Sequence, residues 1–286
     1  MRDISHLTWM EIRDLEKHNA ALVLPVGALE QHGPHLPVVT DLLLAERFLD
    51  LALERLPDAT KIWRLPALSF GKSNEHTGYP GTFSLSASTV MSAVRDIARG
   101  AKEAGFRRLV LLNSHGGNRA VLDMMARDIR AEFDLMVFSV FPPALAPDPL
   151  ETTENEKKFG IHAGDWETSV MLALAPELVK MNRANSSFPA FEADHLTLTT
   201  SGSSVAWLTR DWNATGTWGD ATLATAERGQ ARLEPVVAKL ALVLEEIASF
   251  EVVDPGTHGV PDPGTHGVPD PGTHGVPDPG THEVPA

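Results

Sequence analysis

The sequence predicts an α/β layered fold with a mainly parallel central sheet. Two observations carry this. Along residues 1–253, short apolar runs punctuated by Gly and Pro alternate with longer stretches of helical periodicity. The composition is also that of a globular protein, 43% hydrophobic and 22% charged, which excludes a largely disordered chain, a collagen-like repeat and a coiled coil.

The elements follow in order. ALVLPVG at 21–27 reads as a strand from its length and its Pro and Gly. Residues 41–56 have helical periodicity, and Pro57 stops it. Residues 62–68 read as a strand and 88–104 as a helix ended near Gly105. RLVLLN at 108–113 is a buried strand, 118–133 a helix, and LMVFSVF at 135–141 a further strand. Glu167 to Leu174 begins another helix, and 221–250 is mostly helical. In such folds ligands sit beyond the carboxyl ends of the strands, so the loops after strands are where chemistry is sought.

Two domain segments are expected. Residues 1–253 form one body. From Asp254 the octapeptide DPGTHGVP occurs three times and then once as DPGTHEVP, with no aromatic residue, Leu or Ile. Such a segment, 254–286, buries too little apolar surface to offset its ordering entropy and reads as a disordered, polar tail. Its repeated His is a possible metal-binding feature.

Charge and residue usage exclude several functions. Acidic residues outnumber basic ones 38 to 24, for a net charge of −14, which argues against nucleic acid as a partner. There is no cysteine, hence no disulfide framework, thiolate metal site or cysteine nucleophile. Residues 1–18 are charged and lack a signal core, and no apolar run is long enough to span a bilayer. The expectation is a soluble, cytoplasmic protein with no membrane partner.

Four loops could carry chemistry. The first, EQHGPHLPVVTD at 30–41, directly follows the first strand. Glu30 and His32 point the same way on an extended segment and can reach one ion. Imidazole and carboxylate together suit Zn, Mn or Fe. Asp41 opens the next helix, where an acid also serves as a dipole partner. The second loop, NSHGGN, places His115 at a strand end beside Gly116 and Gly117. The third, HAGDWETS, offers His162 and Glu167. In the fourth, GKSNEHTGYPGT, Ser73 or His76 could touch a ligand or tie the loop together.

These segments resemble the creatininase (creatinine amidohydrolase) family. LPVGALEQHGPHLPVVTD, GKSNEHTGYPGT, LLNSHGGN and IHAGDWETS occur in the family's order, with TWGDATLATAERG as a weaker fifth. The resemblance implies a three-layer α/β/α fold and hydrolysis of a non-peptide or cyclic amide C–N bond by metal-activated water. It implies a homo-oligomer, commonly a hexamer, acting on a small-molecule amide. It assigns Glu30, His32, Asp41 and His115 as ligands of two divalent ions per subunit, Asp41 bridging, with Glu167 as fifth ligand and His162 as proton shuttle. Ser73, His76 and Trp218 are the expected substrate contacts.

Two departures count against creatinine as the substrate. Creatininases proper carry a metal-binding glutamate where Gly117 stands and a tryptophan where Lys158 stands. HGGN is the form of relatives that deformylate formamidopyrimidine nucleotides or trim the mycofactocin precursor peptide, which makes those activities the alternatives. A catalytically idle scaffold that binds a metabolite is the alternative from a different class.

Overall fold

Four parallel strands form the centre of the molecule in a computed structural model that describes residues 2–199 and 202–252. They are β1 (Ala20–Val26), β2 (Lys61–Arg64), β3 (Arg108–Asn113) and β4 (Met136–Val140), in the spatial order β2-β1-β3-β4. Every residue of β1 and β3 is buried, because both faces of the sheet are covered. On one face, Ala21, Val23, Val110 and Leu112 pack against α2 (Thr40–Arg55), α6 (Asp165–Leu174) and α7 (Ala226–Ser249). On the other, Leu22, Leu24, Leu109 and Leu111 pack against α3 (Ala87–Glu103) and α4 (Arg119–Phe133). Alternate strand residues thus serve alternate layers, and the result is the expected three-layer α/β/α fold.

The differences from expectation have local causes. β2 stops at Arg64 rather than continuing to 68, because Pro66 has no N–H to give the ladder. The segment still runs beside β1: Leu65 N and Leu68 N donate to the carbonyls of Val23 and Pro25 at 2.8 and 2.9 Å. Pro25, in a central strand, is tolerated because its missing donor faces this interrupted side. The last long helix begins at Ala226, not 221. Thr225 caps it by accepting from Arg228 N at 3.2 Å, after a short turn at Ala221–Leu223.

Two short helices were not anticipated, α1 (Trp9–Asp14) and α5 (Glu154–Phe159). α1 buries no residue and α5 buries only Glu156, so neither has an apolar face to read. β5 (Ser186–Ser187) pairs antiparallel with β6 (Gly219–Asp220).

The described residues up to Phe250 form one compact unit. The expected repeat tail at 254–286 lies outside the described residues. Among the described residues, no helix is long and apolar enough to cross a membrane.

Candidate metal centre

The strand order fixes where a site can form. The chain leaves β1 for β2 on one side, then crosses to β3 on the other, so the loops after β1 and β3 diverge from a switch point. The two loops are tied there. Ser114 N donates to the Val26 carbonyl at 3.2 Å, and Ser114 Oγ donates to the Asp41 carbonyl at 2.5 Å. Gly27 lets the end of β1 approach α2 closely, since a Cβ there would lie 2.5 Å from Leu42 Cα. Asp41, in the first turn of α2, is thereby brought to the mouth of the sheet.

Four of the expected ligands converge with almost no solvent contact: Glu30, His32, Asp41 and His115 are each 3% exposed or less. Asp41 stands between the two histidines. Its Oδ1 lies 3.5 Å from His32 Nε2, and its Oδ2 lies 3.1 Å from His115 Nδ1. Glu30 Oε2 closes on His115 from the other side, at 3.2 Å from Nε2. Glu167, in the first turn of α6, reaches the His32 side and accepts from Ala163 N at 2.5 Å. Two cation-sized groups result, Glu30–Asp41–His115 and His32–Asp41–Glu167, and they share Asp41. A third, Glu30–His32–His162, overlaps them.

The residues present fit divalent ions. Both oxygens of Glu30, Nε2 of His32 and Oδ2 of Asp41 are buried without a hydrogen-bond partner. Buried polar atoms are normally paired, and four convergent orphans from three ligand-type side chains call for a cation. Hard carboxylate oxygens mixed with imidazole suit Zn, Mn or Fe.

Electrostatics divide the cluster. Burial pushes the Glu30 carboxyl up to about 8, against the pull of His115. Burial alone would lower His32, but the Asp41 carboxylate outweighs it and lifts the imidazole to about 10. His115 is likewise raised, with burial opposed by Glu30 and Asp41. Asp41, despite burial, is held below the usual carboxylate range by His32 and His115. Two other histidines shift the opposite way. Burial, with His76 and His32 adding repulsion, holds His162 well below its ordinary value. Burial takes His76 down to about 3 in spite of Glu75.

His162 stacks between His32 and His76, with ring centroids 4.3 and 4.1 Å away. Its Nε2 lies 2.8 Å from the Gln31 carbonyl, which can only accept, so Nε2 carries the proton. Nδ1 then holds the lone pair, 3.7 Å from Glu30 Oε1. The turn that aims this ring uses Ala163 at φ 52, a left-handed conformation costing roughly 1–2 kcal/mol outside glycine. Strain of this kind collects at functional sites.

The expected substrate contacts lie in this same cluster. Ser73 is fully buried with Oγ 3.4 Å from His115 Nε2. His76 directs Nε2 at Glu30 Oε1, 3.3 Å away, while Nδ1 meets Gln31 Nε2 and Thr209 Oγ1 at 2.8 and 2.9 Å. Trp218 is 1% exposed, stacks on Trp207 at 4.4 Å and bridges to the His162 backbone. Lys158, by contrast, is exposed and lies over the Phe159 ring. Sequence reasoning passed over Glu75, whose Oε1 lies 3.4 Å from His115 Nε2. Its one sequence signal was its place beside His76.

The chain is similar to known proteins over most of its length. A family model described as creatininase, creatinine amidohydrolase, matches residues 5–244. The creatinine amidohydrolase of Pseudomonas putida is 32% identical over 260 residues, covering 85% of this chain and 96% of its own. The mycofactocin precursor peptide peptidase of Mycobacterium tuberculosis is 33% identical over 224 residues, covering 76% and 81%. A solved manganese creatininase superposes with a TM-score of 0.70 at 30% identity, covering 86% of this chain and 98% of that one.

Proposed function

The chain belongs to the creatininase family, and on that premise we propose that it is a metal-dependent amidohydrolase cleaving a non-peptide or cyclic amide C–N bond with water. The observation that carries this reading is Asp41, a buried carboxylate with one oxygen turned to each of two ligand groups. Glu30, Asp41 and His115 would hold one divalent ion, and His32, Asp41 and Glu167 the other. Bound there, two ions supply Lewis acidity toward the amide carbonyl and make hydroxide available near neutral pH.

The chain's own groups do the rest. Neutral His162 accepts a proton on Nδ1 as water attacks, and its Nε2–H stays on the Gln31 carbonyl. His162 then passes that proton to the leaving nitrogen, a role worth typically 10²–10⁴-fold. Gln31 Nε2 donates to the Gly216 carbonyl at 3.2 Å and to His76 Nδ1 at 2.8 Å, which uses both of its hydrogens and fixes Gln31 beside His162. Ser73, His76 and Trp218 are read as the contacts that place the substrate.

A second reading, a peptidase acting on one precursor peptide, rests on the mycobacterial relative and on Gly117, which has no side chain to present. A homo-oligomer, expected as a hexamer, and a cytoplasmic location complete the proposal. Light scattering and cell fractionation test these two.

The deciding experiment is a hydrolysis screen of the metal-reconstituted protein over lactams, formamides, creatinine and short peptides. Turnover of a lactam or formamide that stops on chelation supports the first reading, and turnover of peptides alone replaces it with the second. A protein holding two ions that hydrolyses none of these is a binding scaffold.

A further inference from the structure

The residue two places after His115 is a glycine for a reason the structure supplies. A Cβ on Gly117 would lie 2.0 Å from Glu75 Oε1, 2.5 Å from His115 Nε2 and 2.6 Å from the Lys72 carbonyl oxygen. Even the smallest side chain therefore collides with the Glu75 carboxylate and with the backbone beside it. Gly117 is not merely a position where a side chain is missing. Its space is taken by a carboxylate delivered from another loop, the turn Asn74–His76.

What that carboxylate does follows from the ring beside it. His115 Nε2 lies 3.0 Å from the Lys72 carbonyl oxygen, which can only accept, so Nε2 bears a hydrogen. The lone pair of the neutral ring is then on Nδ1, facing Asp41 Oδ2 at 3.1 Å. That oxygen has no hydrogen-bond partner, as expected if a cation rather than a proton belongs between the two atoms. Two carboxylate oxygens face the proton-bearing Nε2, Glu30 Oε2 at 3.2 Å and Glu75 Oε1 at 3.4 Å; Glu30 belongs to the cation-sized groups, whereas Glu75 stands outside all three and is free to serve the ring alone. Its other oxygen is 3.9 Å from Lys72 Nζ.

We propose that Glu75, in the space left by Gly117, is the positioning carboxylate of the metal ligand His115: it fixes the Nε2–H tautomer and makes Nδ1 a stronger donor. Outer carboxylates behind metal-bound histidines act in this way, and their loss typically weakens metal binding roughly 10–100-fold. Glu75 is a positioning residue in this proposal, since it acts through His115 and lies outside the three cation-sized groups. The inference rests on the metal centre proposed above.

The test is a direct titration of the full-length, metal-free protein with Mn²⁺ and with Zn²⁺ against a competing chelator, read as affinity and stoichiometry rather than activity. Glu75→Ala is expected to weaken binding about 10–100-fold with two ions still bound at saturation. Glu75→Gln, whose amide oxygen still accepts from Nε2–H, should recover part of that loss. Gly117→Ala, whose Cβ would meet both the Glu75 carboxylate and His115 itself, should weaken binding at least as much as Glu75→Ala. The melting temperature of the metal-free Glu75→Gln protein should match the parent. If Glu75→Ala and Glu75→Gln both bind as tightly as the parent, the role is wrong. If saturation falls from two ions to one, Glu75 is itself a ligand and the positioning role is overturned. A parent protein that takes up no ion removes the functional reading instead, so the two failures are distinct.

Discussion

Two pairs of histidines sit in one buried cluster and hold protons in opposite ways. His32 and His115 are raised, while His76 and His162 are lowered. All four are 7% exposed or less, so burial does not separate them. The carboxylates do. Asp41 lies against both members of the first pair, with Glu30 also against His115. The second pair has no contact with Asp41: its rings pack on each other and meet Gln31 and Thr209, although Glu30 lies 3.3 Å from His76 and 3.7 Å from His162. The lesson is that a shared pocket can be split into a cation-holding half and a proton-passing half by where one buried carboxylate stands.

The most severe way to break this division is to remove Asp41. Asp41→Ala should abolish binding of both ions together, and turnover should fall beyond the roughly 100-fold typical of outer substitutions. Elemental analysis is the check, and full occupancy in that variant would end the bridging assignment.

Next in size is the other half. His162→Asn should lower kcat and kcat/KM together by about 10²–10⁴-fold with metal content intact. The loss should shrink for substrates with less basic leaving amines. An unchanged kcat in a folded, metal-replete His162→Asn enzyme removes the residue from the mechanism.

A subtler comparison uses pH. Ions bind only deprotonated imidazole, and His32 in the metal-free protein holds its proton up to about 10. Metal uptake near neutral pH should therefore release protons, and affinity should climb with pH by up to about one decade per unit for each proton displaced. The lowered pair is already neutral there and should contribute nothing. Calorimetry in two buffers of different ionisation enthalpy counts the protons; a count of zero would mean that the raised pair is neutral too.

The smallest effect concerns residues 254–286. Truncation at 253 should leave turnover within about twofold, because the repeats contain no core-forming residue. It should also leave two ions per chain, which shows that the tail histidines are not part of the count.

Much of this was legible in the chain. Strands β1, β3 and β4 and helices α2, α3, α4 and α7 announce themselves by apolar runs and periodicity, since each buries a defined face. Glu30, His32 and Asp41 are close in sequence and adjoin a strand end, so their convergence was readable. α1 and α5 were not, because a helix without a buried stripe leaves no pattern. Glu75 escaped for a different reason. Its meaning depends on His115 and Gly117, forty residues away on another loop, and neither spacing nor composition encodes that contact.

The proposed centre would draw its ligands from the loop after β1, the start of α2, the loop after β3 and the start of α6. No shorter piece of the chain brings them together, so the ions have no site until sheet and helices have docked. Ions held there would stabilise the completed fold by binding the native state and not its precursors. Each added decade of free metal above the dissociation constant should deepen the native basin by about 1.4 kcal/mol per ion. Cellular metal supply would then set how long a folded copy lasts before it opens, as well as how fast it works.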